Sequence, residues 1–304
     1  MTLLTFVITG NRPSVPTKNK AEFDLALIHS LLCSRLSQAV ASPATTPAQF
    51  SYAAKTIHLL LDQKATGMTQ WNIDLTLSTV SAICASSSSS SPTSQPQQQL
   101  FSYPKTYEWL CLLVEIIIKR HRKRLDGHFH ALVATLQSLL RLLLQTPSSL
   151  WETVEPAKHY ARLLTLICEP TVASVSFSSS SSTITNDPTT SSTTSTTTKA
   201  QQLDSEKDKA KRYAGQFMYL IVMQYIKLQL EIQQQSASTS SIASKMVLPR
   251  AVRDALEAQG MFSVLAITTD DYKQIVTNSM DASGRVVLRE LIKKHQKFGK
   301  WSGV

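Results

Sequence analysis

The feature that most constrains the fold of this chain is a set of apolar stripes with helical spacing. In two early segments the apolar side chains recur every three or four residues, which places them on one face of an α-helix. The stripes are Leu27, Ile28, Leu31, Leu32, Leu36, Ala39 and Val40, then Phe50, Ala53, Ala54, Ile57, Leu60 and Leu61. Only 8 of the 304 residues are glycine, which disfavours sheet-rich and Gly-loop enzyme architectures. We therefore predict an all-α fold.

Polar low-complexity segments divide the helical stripes into blocks. We predict an N-terminal helical segment at residues 1–85, a disordered Ser/Gln linker at 86–99 and a C-terminal helical domain at 100–304. Within that domain, insertions are predicted at about 174–206 and 233–245, because their Ser, Thr and Gln residues bury too little apolar surface to offset the entropy of ordering. Helical hairpins in series favour an irregular helical bundle or an α-solenoid-like stack.

The second block is predicted to open with a helical hairpin. A first helix runs from Pro104 to about Arg124, and a second follows the Asp126-Gly127 turn, so the two should be antiparallel. Farther along, the segment Phe217 to Met223 is apolar on every side, which is typical of a helix at the centre of a bundle.

Other helix ends are predicted from capping residues. Ser149 and Glu152 have the spacing of a capping box, so a helix is expected to start there. Proline 249 is expected to start another helix that Gly260 ends. Thr268, with Asp271 three residues later, is expected to cap the helix after it.

Basic residues exceed acidic ones, 31 to 21, which gives a net charge of +10, and many of them are clustered. The densest cluster directly follows the apolar run Trp109 to Ile118, as expected for a buried helix whose exposed end binds a polyanion. Basic patches can also be solvated helix faces or a nuclear-import signal. The predicted RNA- or partner-binding residues are Lys119, Arg120, Arg122, Lys123, Arg124, Lys209, Lys211, Arg212, Lys293, Lys294, Lys297 and Lys300.

No pattern in the sequence indicates catalysis. There is no metalloprotease motif, nucleophile elbow or phosphate-cradling glycine loop, so we predict neither an enzyme, nor a cofactor, nor a metal site. His128 and His130 are two residues apart, which on a helix points them to different faces. The four cysteines are widely separated within apolar patterns and should be buried thiols. No apolar run is long enough to span a bilayer.

Four blocks of sequence resemble a known family. They are Arg120 to His130, Tyr160 to Thr171, Lys209 to Gln216, and Asp281 to Arg285 together with Phe298 to Trp301. In that order they resemble the C-terminal domain of the Urb/Npa family of nucleolar ribosome biogenesis and pre-rRNA processing proteins, over about residues 100–304. The Ser/Thr tract after Val175 is longer than the family pattern. Because the family's members are longer, we expect this chain to be a fragment.

The resemblance implies a non-catalytic assembly factor or scaffold of the nucleus and nucleolus. Such a protein would act on early precursors of the large ribosomal subunit, the pre-60S particles, during rRNA processing. Its implied partners are precursor rRNA and assembly factors, including a second large helical scaffold and a DEAD-box RNA helicase. The alternative is a nuclear helical module that binds only proteins, and whose basic clusters meet acidic partners or import factors.

Overall fold

The computed structural model describes residues 25–41, 46–63, 67–88, 104–145, 149–171, 174, 195–238 and 248–299. None of these residues is in a strand, so the predicted all-α class is confirmed. The helices are α1 (Leu25–Ala41), α2 (Pro47–Gln63), α3 (Gln70–Ser88), α4 (Pro104–Arg120), α5 (Phe129–Gln145), α6 (Glu155–Cys168), α7 (Ser195–Ser238), α8 (Arg250–Ala255), α9 (Phe262–Ile267), α10 (Asp270–Asn278) and α11 (Ala282–Phe298). A π-helical segment, Leu256–Met261, joins α8 to α9 without a break.

The helices stack in two layers. In one layer α1, α3, α5 and α7 lie side by side in that order, and in the other α2 packs on α4 and α4 on α6. The continuous segment formed by α8, the π-helical turn and α9 extends the second layer beyond α6, and α7 also contacts α10 and α11. From α1 to α7 each helix thus packs on the helix two positions later, which is the arrangement of an α-solenoid.

Tyrosine hydroxyls join the two layers at α5. Tyr107, near the start of α4, donates to the Leu139 carbonyl at 3.3 Å, and Tyr160 of α6 donates to the Leu136 carbonyl at 3.1 Å. Both tyrosines are completely or almost completely buried, and the hydrogen bonds satisfy their hydroxyls there. The first contact joins the start of α4 to the end of α5, so the two helices are antiparallel, as predicted.

A buried polar cluster holds α1 against α3. The His29 ring lies 3.1 Å from Asn72 Nδ2 and 3.0 Å from Thr76 Oγ1, and all three residues are buried. Burial, together with the charge of His121, lowers the pKa of His29 from its ordinary value of 6.5 to about 4. The imidazole is therefore neutral near pH 7, as a hydrogen-bonded core group must be.

The end of α4 differs from the prediction. The α-helix stops at Arg120 rather than continuing to about Arg124, and Arg122–Leu125 form a 3-10 turn. His121 leaves the helical backbone conformation, and its buried ring lies 2.9 Å from the Leu61 carbonyl of α2. Gly127, the one positive-φ glycine in the described part of the chain (φ 79°), then reverses the chain toward α5.

The long helix α7 passes through the centre of the stack, as its all-round apolar segment predicted. Met218, Ile221, Val222, Tyr225 and Ile226 are buried in it. The helix begins at Ser195 and ends at Ser238, so it includes parts of both segments that the sequence analysis assigned to insertions. The remainder of those segments lies outside the described residues. A Cβ atom on Gly215 would lie 2.6 Å from the Ile267 carbonyl oxygen, so this residue lets α7 approach α9.

Three predicted helix ends are wrong. Gly260 does not end a helix, because it lies in the π-helical segment, where an added Cβ would lie 3.1 Å from Ala161 Cα of α6. The α-helix expected from Ser149 does not start there, because Ser149–Trp151 form a 3-10 turn and α6 starts at Glu155 with a proline in its first turn. Thr268 donates its hydroxyl to the Val264 carbonyl at the end of α9 instead of capping α10.

The N-terminal segment and the C-terminal domain of the sequence analysis are in extensive contact. Helix α3 packs on α5 and α2 packs on α4, and Ser81 of α3 donates to the Thr135 hydroxyl of α5 at 3.0 Å. Most of the linker predicted at 86–99 lies outside the described residues, and α3 continues as far as Ser88. Among the described helices, none combines the length and the apolar character that crossing a membrane requires.

Candidate functional site

The first basic cluster, Lys119 to Arg124, begins with two cations that are paired to carboxylates. Lys119 lies 2.5 Å from Glu115, whose side chain is almost fully buried and also pairs with Arg162 of α6 at 3.0 Å. Arg120 pairs with Asp62, at the end of α2, at 2.7 Å. The Arg120 pair joins α4 to α2, and Glu115 joins α4 to α6 through Arg162, whereas the Lys119 pair lies within α4.

Arg122 contacts backbone carbonyls instead of a carboxylate. Its two terminal nitrogens donate to the carbonyls of Leu166 and Ile167, at 3.0 and 2.6 Å, in the last turn of α6. The carbonyls at a helix C-terminus carry partial negative charge and lack intrahelical donors, so a guanidinium there satisfies both requirements. Burial lowers the pKa of this guanidinium, which nevertheless stays charged.

Lys123 and Arg124 are the members of the first cluster that face outward. Lys123 is exposed and Arg124 is half-buried, and neither is in an ion pair with another described residue. The 3-10 turn presents both beside Gly127. Of the five cations in this cluster, therefore, Lys123 and Arg124 remain positioned to meet a ligand.

The second basic cluster, Lys209, Lys211 and Arg212, is exposed on α7. Directly after it, the Tyr213 hydroxyl accepts a hydrogen bond from the Gly127 backbone N–H at 3.0 Å. The Tyr213 ring also packs edge-on against Phe129 and Phe217, with centroids 5.5 and 5.4 Å apart. Tyr213 thus fixes α7 to the α4–α5 turn and brings the two basic clusters to the same end of the stack.

Two open clefts flank the early part of α7. The first, of about 940 Å³, lies between α7 and the α4–α5 turn, and the second, of about 1180 Å³, lies between α7 and the end of α9. Asp204, Asp208, Arg212 and Gln216 line both clefts, because their four-residue spacing makes them one ridge of the helix. Lys123 and Lys209 line the first cleft, and Lys211 lines the second.

The first cleft is not uniformly basic. Its walls carry four cations and also four carboxylates, and its floor is partly apolar. The charged lining residues are Arg122, Lys123, Lys209, Arg212, Asp126, Asp204, Glu206 and Asp208. Only the cations of this set are among the binding residues predicted from the sequence, although residues 204–212 contain cations and acids side by side.

The members of the third basic cluster differ in their contacts. The cluster consists of Lys293, Lys294, Lys297 and Lys300. Lys294 lies 2.7 Å from the nearly buried Glu257 of the π-helical segment, which also accepts a hydrogen bond from Tyr225 at 3.0 Å. Lys297 lies 5.0 Å from the ring centroid of Phe298, and Lys293 is exposed. Lys300 lies outside the described residues. Lys294 therefore fastens α11 to the stack and is less available to a ligand than Lys293.

The histidine pair at the turn is arranged differently from the prediction. His128 and His130 do not point to different faces, because His128 precedes α5 and helical spacing does not apply to it. Their rings are stacked with centroids 6.2 Å apart, and His128 Nδ1 lies 3.1 Å from Asp74. Among the described residues, no group of three or more His, Cys, Asp or Glu side chains could hold a metal ion.

The cysteines have the environment that the sequence predicted. All four are free and buried, and burial raises the pKa of each thiol, to about 11 for Cys33. A raised thiol pKa disfavours the thiolate that a nucleophile or a metal ligand requires. These residues therefore fill the core.

Sequence reasoning missed the acids that neutralise the cations. Glu115 precedes Lys119 by one helical turn, so that pair was visible as an i, i+4 spacing. Asp62 and Glu257 are far from Arg120 and Lys294 in the sequence, and nothing local indicated either contact. Arg122 donates to backbone carbonyls. Because every residue has one, no residue type in the sequence indicates this contact.

Comparison with known proteins supports the resemblance found in the sequence. The comparisons with curated proteins and with solved structures found no match. A family model, described as the Urb2/Npa2 family, matches residues 51–304. The match starts within α2, continues through α11 and begins well before residue 100, where the sequence resemblance started. Since it covers most of the chain and includes all three basic clusters, the protein belongs to the Urb2/Npa2 family.

Proposed function

We propose that the protein is a non-catalytic scaffold of large ribosomal subunit biogenesis and precursor rRNA processing, and that exposed cations at one end of its helical stack contact rRNA or assembly factors. Membership of the Urb2/Npa2 family implies a role in ribosome biogenesis. The scaffold role, the RNA contact and the nucleolar location go beyond what family membership implies and are proposed here.

The observation that carries the proposal is the meeting of two basic clusters that are distant in the sequence. Lys123 and Arg124 lie on the α4–α5 turn, and Lys209, Lys211 and Arg212 lie on α7, which the Tyr213 hydroxyl fixes to that turn. Phosphate contacts from several cations on one rigid surface add affinity without selecting a sequence. Such a surface suits a factor that holds a particle together rather than one that reads bases.

The absence of catalysis is supported by the chemistry of the buried groups. The thiols of the cysteines and the hydroxyls of Tyr107, Tyr160 and Tyr225 have raised pKa values because they are buried, so they stay protonated. No described residue that lines either cleft is a histidine, and the Ser263 hydroxyl in the second cleft, 3.4 Å from the Glu169 carboxylate, lies closer to the Gln259 carbonyl, at 3.0 Å. The implied partners are pre-ribosomal particles, including a second helical scaffold and a DEAD-box helicase.

The RNA contact can be tested through its salt dependence. Lys123→Ala, Arg124→Ala and Lys211→Ala, combined in the full chain, remove cations that form no ion pair with another described residue. We expect weaker association with single-stranded RNA, and a log–log salt slope that is shallower by about 0.7 for each lost phosphate contact. Fluorescence anisotropy with a labelled RNA over a range of salt concentrations measures both quantities.

The matched control is the combination Lys55→Ala and Lys227→Ala, which removes exposed cations on α2 and on the later part of α7. It should leave the slope unchanged. Purification of tagged protein with and without nuclease, with crosslinks read at nucleotide resolution, then tests the contact in cells. An unchanged slope in the triple variant would exclude this surface as the RNA contact.

A second function, a helical module that binds only proteins, is favoured by the carboxylates in the first cleft. Asp126, Asp204, Glu206 and Asp208 oppose the approach of a phosphate backbone. This module predicts co-purification of partners that resists nuclease and no RNA crosslink at Lys123 or Lys211.

A further inference from the structure

The first cleft has a rigid wall and an apolar floor. The Tyr213 hydroxyl is held by the Gly127 N–H at 3.0 Å, and Phe129, Tyr213 and Phe217 form an aromatic cluster behind it. Leu125, Phe129, Ala210 and Tyr213 supply apolar lining between the charged walls. A ligand that enters the cleft can therefore bury apolar surface as well as meet charges.

The charges along the α7 wall are polarised. Asp204, Glu206 and Asp208 come first, and Lys209 and Arg212 follow toward the body of the stack. Asp204 pairs with Lys207, which lines the second cleft, at 3.2 Å. Asp208 and Lys209 are adjacent, but from Glu206 to Arg212 the helix rises about 9 Å, which is close to the Debye length at physiological salt, roughly 8 Å. A ligand that spans the cleft meets one sign of charge at each end.

An RNA strand does not match this pattern. Its phosphates are negative along their whole length, so they would be repelled at the acidic end of the cleft, where Glu206 and the exposed Asp208 form no ion pair with another described residue. A protein helix can carry an apolar stripe for the floor, carboxylates for Lys209 and Arg212, and cations for the acidic end. Charge complementarity therefore favours a protein over a nucleic acid in this cleft.

We propose that the cleft between α7 and the α4–α5 turn receives an amphipathic α-helix of a partner protein that is acidic at one end and basic at the other. The proposal rests on the scaffold function and deepens it, because it assigns the cleft, which Lys123 lines, to a protein and leaves Arg124 and Lys211, which do not line this cleft, to RNA. The carboxylates among the basic clusters then select a partner instead of weakening an RNA site.

The test uses charge reversal at each end of the cleft. A photocrosslinking benzoylphenylalanine replaces the exposed Ser205, which lines the cleft, in the tagged full chain expressed in its native cells. Lys209→Glu with Arg212→Glu reverses the basic end, and Asp204→Lys with Asp208→Lys reverses the acidic end. After irradiation and nuclease treatment, the crosslinked species is identified and its peptide is sequenced by mass spectrometry.

We expect one protein crosslink that resists nuclease and falls roughly tenfold in both charge-reversal variants. The crosslinked peptide should have an apolar helical stripe, carboxylates at one end and lysine or arginine at the other. The control variants Lys55→Glu and Glu152→Lys, which reverse exposed charges elsewhere, should crosslink like the unchanged protein. Thermal melting of every variant checks that it is folded.

Three results would overturn the proposal. They are a crosslink from position 205 to RNA, a protein crosslink that persists or strengthens when the acidic end is reversed, and a crosslinked peptide with charges of a single sign. The separate RNA test with Lys123, Arg124 and Lys211 distinguishes this failure from failure of the scaffold proposal, because the salt slope is measured on the purified chain with no partner protein in the cleft.

Discussion

The cluster Lys119 to Arg124 and the cluster Lys209 to Arg212 look alike in the sequence, but the structure uses them differently. In the first, Lys119, Arg120 and Arg122 reach carboxylates or helix carbonyls, and two of these three contact another helix. In the second, all three cations are exposed and meet no described carboxylate within ion-pair distance. Charge density in a sequence therefore does not show whether the charge reaches a ligand.

The largest effect is expected from acidification, because the first cluster contains the buried His121, which interacts electrostatically with the buried His29 of α1, and the second cluster contains no histidine. Burial lowers the pKa of His29 from 6.5 to about 4 and also lowers that of His121. The unfolded chain therefore takes up protons first as the pH falls, and stability is lost between about pH 6.5 and 4. For His29 alone the loss should be about 3 kcal/mol.

Urea denaturation at about pH 7 and about pH 4 measures this loss. In His29→Gln the difference between the two pH values should shrink, whatever the stability of the variant at neutral pH. If the variant keeps the whole pH dependence, other groups cause it and the buried imidazole does not.

The second largest effect is expected from Arg122. Arg122→Ala removes two hydrogen bonds to the last carbonyls of α6 and should lower the free energy of unfolding by about 2 kcal/mol. Lys209→Ala is the matched change in the second cluster and should alter that free energy by less than about 0.5 kcal/mol. Equal losses in the two variants would break the distinction between a structural cluster and an exposed one.

The smallest effect concerns the contact that joins the two clusters. Tyr213→Phe keeps the ring packing and removes only the hydrogen bond from the Gly127 N–H, so we expect a loss of about 0.5 to 1 kcal/mol. Hydrogen exchange at the Gly127 amide should become faster, because this donor would then face solvent. An unchanged exchange rate would show that another acceptor satisfies the amide.

Much of the fold was predictable from local pattern. The stripe that contains Leu136 and Leu140, and the all-apolar segment around Ile221, correctly predicted α5 and the central part of α7. The errors came where tertiary packing overrides a local signal. A glycine often ends a helix, so Gly260 was expected to do so. In the structure Gly260 instead lets the π-helical segment approach Ala161 of α6, because it has no Cβ.

The candidate site was predictable only in part. The sequence identified the clustered cations. It gave no means of telling the exposed Lys123 and Lys209 from Arg122 and Lys294, which contact other parts of the stack. Arg122 and Lys294 are bound by groups on other elements of the stack, the α6 carbonyls and Glu257. The hydrogen bond between Tyr213 and Gly127, which brings two clusters to one cleft, joins residues far apart in the chain.

By itself the sequence determined the helices, the apolar faces that they bury, the inert cysteines and the family. These follow from spacing within a few residues, because helical periodicity and side-chain burial on one face are local properties. Only the tertiary structure decided which cations remain exposed and which acids accompany them in the cleft. That decision depends on electrostatic partners brought together by helix packing, and the distance between two charges is set by the stack rather than by their separation along the chain.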